Sequence, residues 1–177
     1  RLAKAMGMTE FEQAILEFSG LFHDVGKVGI PDHILLKPAK LDPDEQEIMK
    51  SHAEKSVEII KPLTHIPLFR FVLPGVRYHH ERYDGKGYPI GLMGEKIPLS
   101  ARIISVVDTV DAMANTRPYR NALPMDKILQ ELKDCSGTQF DGNIVDIYLD
   151  AVPLWTKETD KEIAREEQIV SRIIKAA

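Results

Sequence analysis

Apolar positions recur along this chain at intervals of three and four, the period of a helix with one buried face, and no segment sustains the alternation of a half-buried strand. Thr9 followed by Glu12 is a capping-box signature. Phe11, Ile15, Phe18 and Phe22 then mark the inner side of a helix that delivers His23-Asp24 at its end, where Gly26 lets the chain turn. Asp42, Pro43 and Glu45 predict a second start, with Ile48, His52, Ser56, Ile59 and Ile60 as the inward stripe as far as Pro62. A third helical pattern runs from Pro67 to Arg82 and carries His79-His80 near its end. Pro98 opens a fourth, in which Ile104, Val107, Asp108 and Asp111 share one sector, and further helices are expected at Pro124 to Cys135 and Gly142 to Val152. The fold class read from this pattern is an all-α helical bundle.

Two stretches stand outside the pattern. DGKGYPIGLMGEKIP, residues 84–98, is dense in Gly and Pro and reads as a long surface loop, of the kind that is functional or mobile. Thr156 to Ala177 is rich in charge, with Ile163, Val170, Ile173 and Ile174 as a thin apolar stripe; it could dock on the core, pair with a second copy or lead to another domain.

Composition narrows the class. A chain of 177 residues, 44% hydrophobic and 28% charged, can bury one sizeable core, so one domain with an appendage is expected. A net charge of −4 gives no general attraction to a nucleic-acid polymer or an anionic membrane, so an anionic ligand must be met by local Lys, Arg or metal. Apolar runs are too short for a membrane-spanning helix. Cys135 is the only cysteine, which excludes an internal disulfide and fits a reducing, cytoplasmic setting. The chain begins at Arg1 inside a helical stretch, RLAKAMGM, and reads as a piece of a longer protein.

The candidate chemistry lies in six residues: His23, Asp24, His52, His79, His80 and Asp108. Imidazole and carboxylate suit divalent iron, manganese or zinc, and six such groups exceed what one tetrahedral ion uses, so two metals are suggested. A carboxylate can bridge two cations, which makes Asp24 the bridging candidate. Adjacent histidines point roughly 100° apart on a regular helix, so His79 and His80 need a helix end or a distortion to converge. Lys27 places an ammonium three residues after Asp24, and Arg117 and Arg120 offer fork-shaped donors suited to phosphate, or equally to structural salt bridges. His33 and His65, beside Pro31 and Pro67, are read as surface or capping residues, and Glu54 and Glu58 as a solvated face. Glu81 and Tyr83 are either partners that orient the histidines or part of a solvated helix end.

The series HDVGK, HAE, HHERYDGKGYP and VVDTVDAMANTRPYR resembles the HD-GYP domain, the branch of the HD phosphohydrolases that cleaves cyclic di-GMP, from about Arg1 to about Leu149. The resemblance implies an HD-type bundle with a GYP loop over residues 1–155 and a C-terminal helical extension over 156–177. It implies that His23, Asp24 and Asp108 hold one metal and that Asp24, His52, His79 and His80 hold the other, with iron or manganese as the ions and a third ion in some members. Asp24 and Lys27 are the implied catalytic residues, and Lys27, Asp111, Arg117, Arg120, Gly87, Tyr88 and Pro89 the implied substrate contacts. The implied reaction uses a metal-activated water to open cyclic di-GMP to pGpG, and onward to GMP. Implied partners are an upstream sensor or receiver domain, a diguanylate cyclase on the GYP loop and a second copy of the chain.

One departure qualifies the resemblance. HD-GYP members usually carry a Glu and a His upstream of HD, and no histidine precedes His23 here. The register of RLAKAMGM resembles the segment that family members carry directly after that histidine, which favours a truncated start. A catalytically silent cyclic dinucleotide receptor, and an HD phosphohydrolase of another nucleotide, remain the competing expectations.

Overall fold

The structure, a computed structural model, describes residues 1–116 and 121–156. Among these it is helical with no strand, and only two isolated bridges, Asp84 with Met93 and Ser136 with Phe140, break the pattern. The helices are α1 (Leu2–Ala5), α2 (Glu10–Phe22), α3 (Asp32–Leu35), α4 (Pro43–Lys50), α5 (His52–Ile60), α6 (Pro67–Tyr78), α7 (Leu99–Ala114), α8 (Met125–Asp134) and α9 over 142–156.

The starts of α2 and α4 follow the sequence signals. Thr9 and Glu12 exchange a side-chain and a backbone hydrogen bond, and Asp42 and Glu45 do the same, so orphan donors at both helix starts are satisfied. The expected single helix from Asp42 to Pro62 is instead two, because the chain bends at Ser51. The bend turns His52 inward while Ile48 and Ile59 stay 41% and 44% exposed, which corrects their placement on the inner face. Phe11 is also exposed, resting edge-on against Phe71 with ring centroids 5.5 Å apart.

Helix α6 packs against α2, α5 and α7 and so organises the half of the bundle that carries the candidate ligands. Its crossing with α2 is close: a Cβ on Gly75 would lie 2.8 Å from Ser19 Oγ, and buried Ser19 donates to its own helix at Ile15 O, 2.7 Å away. One apolar cluster joins Ile60, Phe69, Val72 and Val76 to Phe18 and Phe22. A second and larger one runs from Leu2 and Leu16 through Ile103, Ile104 and Val106 to Ile128, Leu132 and Ile144. Burial of these side chains supplies most of the drive to fold, at roughly 25 cal/mol per Å² of apolar surface. Arg102 pairs with buried Asp141 and ties α7 to the start of α9. No helix among the described residues is long and apolar enough to cross a membrane.

Candidate metal centre

Three helix ends and one mid-helix position bring the candidate ligands together. His23 and Asp24 follow the end of α2, His52 opens α5, His79 and His80 follow α6, and Asp108 projects from the middle of α7. The expected helix to Arg82 stops at Tyr78; His79 keeps helical angles as the cap and His80 lies in the turn beyond, which lets two adjacent imidazoles converge.

The donor atoms form two groups, each with all atoms within 4.8 Å of one another: Asp24, His52, His79 and His80 in one, and His23, Asp24 and Asp108 in the other. Asp24 belongs to both and turns one oxygen to each. Its Oδ1 is 3.3 Å from His52 Nε2, and its Oδ2 is 3.3 Å from His23 Nε2. His23 Nε2 is also 3.5 Å from Asp108 Oδ1.

The orientation of three rings is fixed from behind. Nδ1 of His23, His52 and His79 each lies 2.7 Å from the carbonyl oxygen three residues earlier, at Gly20, Met49 and Val76. A carbonyl only accepts, so Nδ1 carries the proton and Nε2 is the atom aimed into the centre. His52 and His79 bring these atoms to 3.4 Å, and His80 Nε2 approaches His52 Nε2 at 3.0 Å.

Electrostatics favours bare nitrogens in the first group. Burial lowers the pKa of His52, lowers His79 to about 4 with help from neighbouring His23, and lowers His80 to about 2 with help from His79 and His52. His23 behaves oppositely: burial pulls its pKa down, but Asp108 and Asp24 outweigh this and raise it to about 10. Asp24 is opposed by burial and held well below the usual carboxylate range by His23 and Lys27. His23 Nε2 and Asp24 Oδ1 are nonetheless buried without an aligned hydrogen bond. An unpartnered buried carboxylate oxygen facing neutral imidazole nitrogens is what a divalent cation satisfies, and His23 Nε2 joins them once it gives up its proton, so the residues present fit a metal.

The turn after Asp24 explains Gly26 differently from the sequence. Its φ is not in the left-handed region; a Cβ there would lie 2.1 Å from the His52 carbonyl oxygen and 2.4 Å from Ser56 N. Ser56 Oγ accepts from Gly26 N–H at 2.8 Å and donates to His23 O at 2.9 Å, locking the HD turn onto α5.

The GYP loop is strapped down rather than loose. Glu81, 2% exposed, accepts from the backbone N–H groups of Ile90, Gly91 and Leu92 at 2.9, 3.1 and 3.0 Å. It is neither a solvated residue nor a direct partner of a histidine. Tyr83 acts through its backbone, donating to Gln139 O and accepting from Gly94 N–H. Gly85 needs its left-handed φ of 78°, whereas Gly87 is required by space, since a Cβ would lie 2.3 Å from Arg82 N. Tyr88, joined to Pro89 by a cis peptide, stacks on His80.

Lys27 pairs with Asp24 Oδ2. Asp111 is exposed and accepts from Asn115 Nδ2, one turn beyond Asp108 and outside both donor groups. Arg117, Arg120 and the extension from 157 onward lie outside the described residues. His33 and His65 are exposed, and Glu58 with them. Glu54 is not merely solvated, because it accepts from Arg77 Nε at 2.8 Å across α5 and α6. Glu81, Gly26 and Ser56 are the positions whose roles the sequence did not reveal.

Cavities lined by described residues adjoin the centre. One, about 640 Å³, is reached by Lys27, His52, His80 and Tyr88. A second, about 260 Å³, lies on the other side of His80 and Tyr88, with Gly87, Asp108 and Arg82 in its wall. A third, about 330 Å³, is lined by Asp108, Thr109 and Cys135 among others.

Comparison with known proteins places this geometry. The HD domain family matches residues 1–144. A cyclic di-GMP phosphodiesterase of Thermotoga maritima is 37% identical over 92% of this chain and 45% of its own length. The cyclic di-GMP phosphodiesterase response regulator RpfG of Xanthomonas campestris is 44% identical over 84% of this chain and 39% of its own. The chain thus spans less than half the length of these relatives. The crystal structure of a cyclic GMP-AMP specific phosphodiesterase of V. cholerae superposes with a TM-score of 0.62 at 20% identity, covering 86% of this chain and 41% of that one, and shares the fold. With the family match taking in all six donor residues, and with HHERYDGKGYP following HDVGK in one chain, the protein belongs to the HD domain family, in its HD-GYP branch.

Proposed function

We propose that this chain is the catalytic part of a metal-dependent phosphodiesterase that opens cyclic di-GMP to linear pGpG. The observation that carries the reading is the pair of donor groups sharing Asp24, beside a cavity entered by the Lys27 ammonium. His23, Asp24 and Asp108 would hold one ion and Asp24, His52, His79 and His80 the other, with iron or manganese as the expected identity. Two such ions lower the pKa of a water and stabilise attacking and leaving oxygens in phosphoryl transfer. Hydrolysis joins a water oxygen to phosphorus, breaks the P–O3′ bond and gives the 3′ oxygen a proton.

The protein's own groups orient and balance charge. Lys27, against Asp24, offsets the negative charge that grows on the phosphate. Asp111, Arg117 and Arg120 are proposed to contact the substrate from the end of α7 and the segment after it. Tyr88 and Gly87 hold the loop side of the site, with Pro89 completing the motif. On the same family grounds a sensor or receiver domain, a diguanylate cyclase and a second copy are proposed partners, in the cytoplasm.

Chromatography of cyclic di-GMP incubated with protein loaded anaerobically with Fe(II) or Mn(II) tests this directly. Appearance of pGpG supports it. Tight binding with the substrate left intact would move the protein to the receptor class, and turnover confined to mononucleotides would reassign the substrate.

A further inference from the structure

The cavity of about 640 Å³ beside Lys27 carries a feature that the metal chemistry does not use. Its inner end is made by Lys27, His52, His80 and Tyr88, but its outer wall comes from a single stretch, Ile34 to Leu41. That stretch presents Ile34, Leu35, Pro38 and Leu41, and Met49 of α4 completes the apolar lining. A volume near 640 Å³ lies within the roughly 300–1,000 Å³ range of small-molecule pockets.

The wall is built firmly. Leu41 O accepts from Gln46 Nε2 at 3.0 Å, and Lys37 pairs with Glu45, whose carboxylate accepts from the backbone N–H of the α4 cap residue Asp42. Lys37 is thereby neutralised. Lys40 is exposed on the same wall and has no ion-pair or hydrogen-bond partner among the described residues. The cavity lining contains three lysines and no carboxylate, so its charged side chains only donate.

We infer that this slot is the site of a guanine base, with Lys40 as the residue that distinguishes guanine from adenine. Apolar walls suit the faces of a purine. Guanine offers two acceptors, O6 and N7, along one edge, whereas adenine pairs its N7 acceptor with an N6 donor that a lysine repels. The slot opens at Lys27 and the donor groups, which puts a base there beside the phosphate to be cleaved. The assignment rests on the phosphodiesterase reading for the nature of the ligand, but its base preference is testable by binding alone.

The experiment is calorimetric titration of the metal-loaded protein with the cleavage-resistant phosphorothioate analogues of cyclic di-GMP and cyclic di-AMP, for the parent chain, Lys40→Ala and Lys40→Arg. The parent chain should favour cyclic di-GMP, Lys40→Ala should reduce that preference by about tenfold, and Lys40→Arg should keep it. Equal affinities in the parent chain, or a preference unchanged in Lys40→Ala, would overturn the assignment. Cleavage of bis(p-nitrophenyl) phosphate, which has no base, separates the two claims. If it fails while the base preference follows Lys40, the phosphodiesterase reading falls and the guanine slot stands; if it proceeds while the preference ignores Lys40, only the slot falls.

Discussion

The ring of Tyr88 lies on the imidazole of His80, with centroids 4.7 Å apart and planes 25° from parallel, and the Tyr88 N–H donates to the carbonyl of the same histidine at 3.2 Å. The other three histidines are aimed by a bond from Nδ1 to the preceding turn, and His80 is aimed by the GYP loop. The loop is therefore part of the metal centre's support. Tyr88→Leu should weaken metal binding about tenfold while Tyr88→Phe leaves it intact, as measured by competition with a chromogenic chelator.

Glu81 holds that loop through three backbone donors. Glu81→Ala leaves three N–H groups unpaired and should cost on the order of 3 kcal/mol in urea unfolding. Glu81→Gln, which can still accept, should cost less. Equal unfolding midpoints for parent and Glu81→Ala would refute the strap.

Gly26 has no room for a side chain between the HD turn and α5. Gly26→Ala must push the turn off His52 O and Ser56, and should lower stability and metal content together. Ser56→Ala, which removes both of its bonds without a clash, should cost about 2 kcal/mol and leave metal stoichiometry unchanged.

Stability of the ion-free protein should fall on both sides of pH 6.5. An unfolded histidine titrates near 6.5, and His23 in the fold titrates at about 10. Between these values only the folded state holds the His23 proton, so that contribution is complete below 6.5 and is lost as pH rises through 10. For His79 and His80, lowered to about 4 and about 2, the unfolded chain takes protons first on acidification, and stability falls from 6.5 downward. Thermal melts from pH 4 to pH 10 should show the maximum, and His23→Ala should flatten the alkaline side. Metal binding at neutral pH should also release about one proton, from His23, detectable by calorimetry in buffers of different ionisation enthalpy.

If Lys27 has the substrate-facing role proposed for it, Lys27→Met should reduce turnover on the order of a hundredfold with metal content unchanged. Loss of metal in this variant would assign Lys27 a structural role through Asp24 instead.

Helix starts, the bundle class and the ligand character of His23, Asp24, His52, His79, His80 and Asp108 were legible in the residues, while their division between two ions was implied by the resemblance to the family. Capping signals are local, and ligand-type residues declare their chemistry wherever they stand. The bend at Ser51, the close approach at Gly26 and the burial of Glu81 were not, because each depends on what another helix or the loop brings alongside. Ile48 and Ile59 show the same limit, since an apolar residue at helical spacing does not say which side of a short helix meets the core.

The most direct test is metal stoichiometry of the parent chain and of Asp24→Asn, measured by mass spectrometry of the elements after anaerobic reconstitution. The shared carboxylate predicts two ions per chain, bound together and both lost in Asp24→Asn along with cleavage of cyclic di-GMP. Two ions retained without Asp24, or a single ion in the fully active parent, would contradict a centre built around that residue.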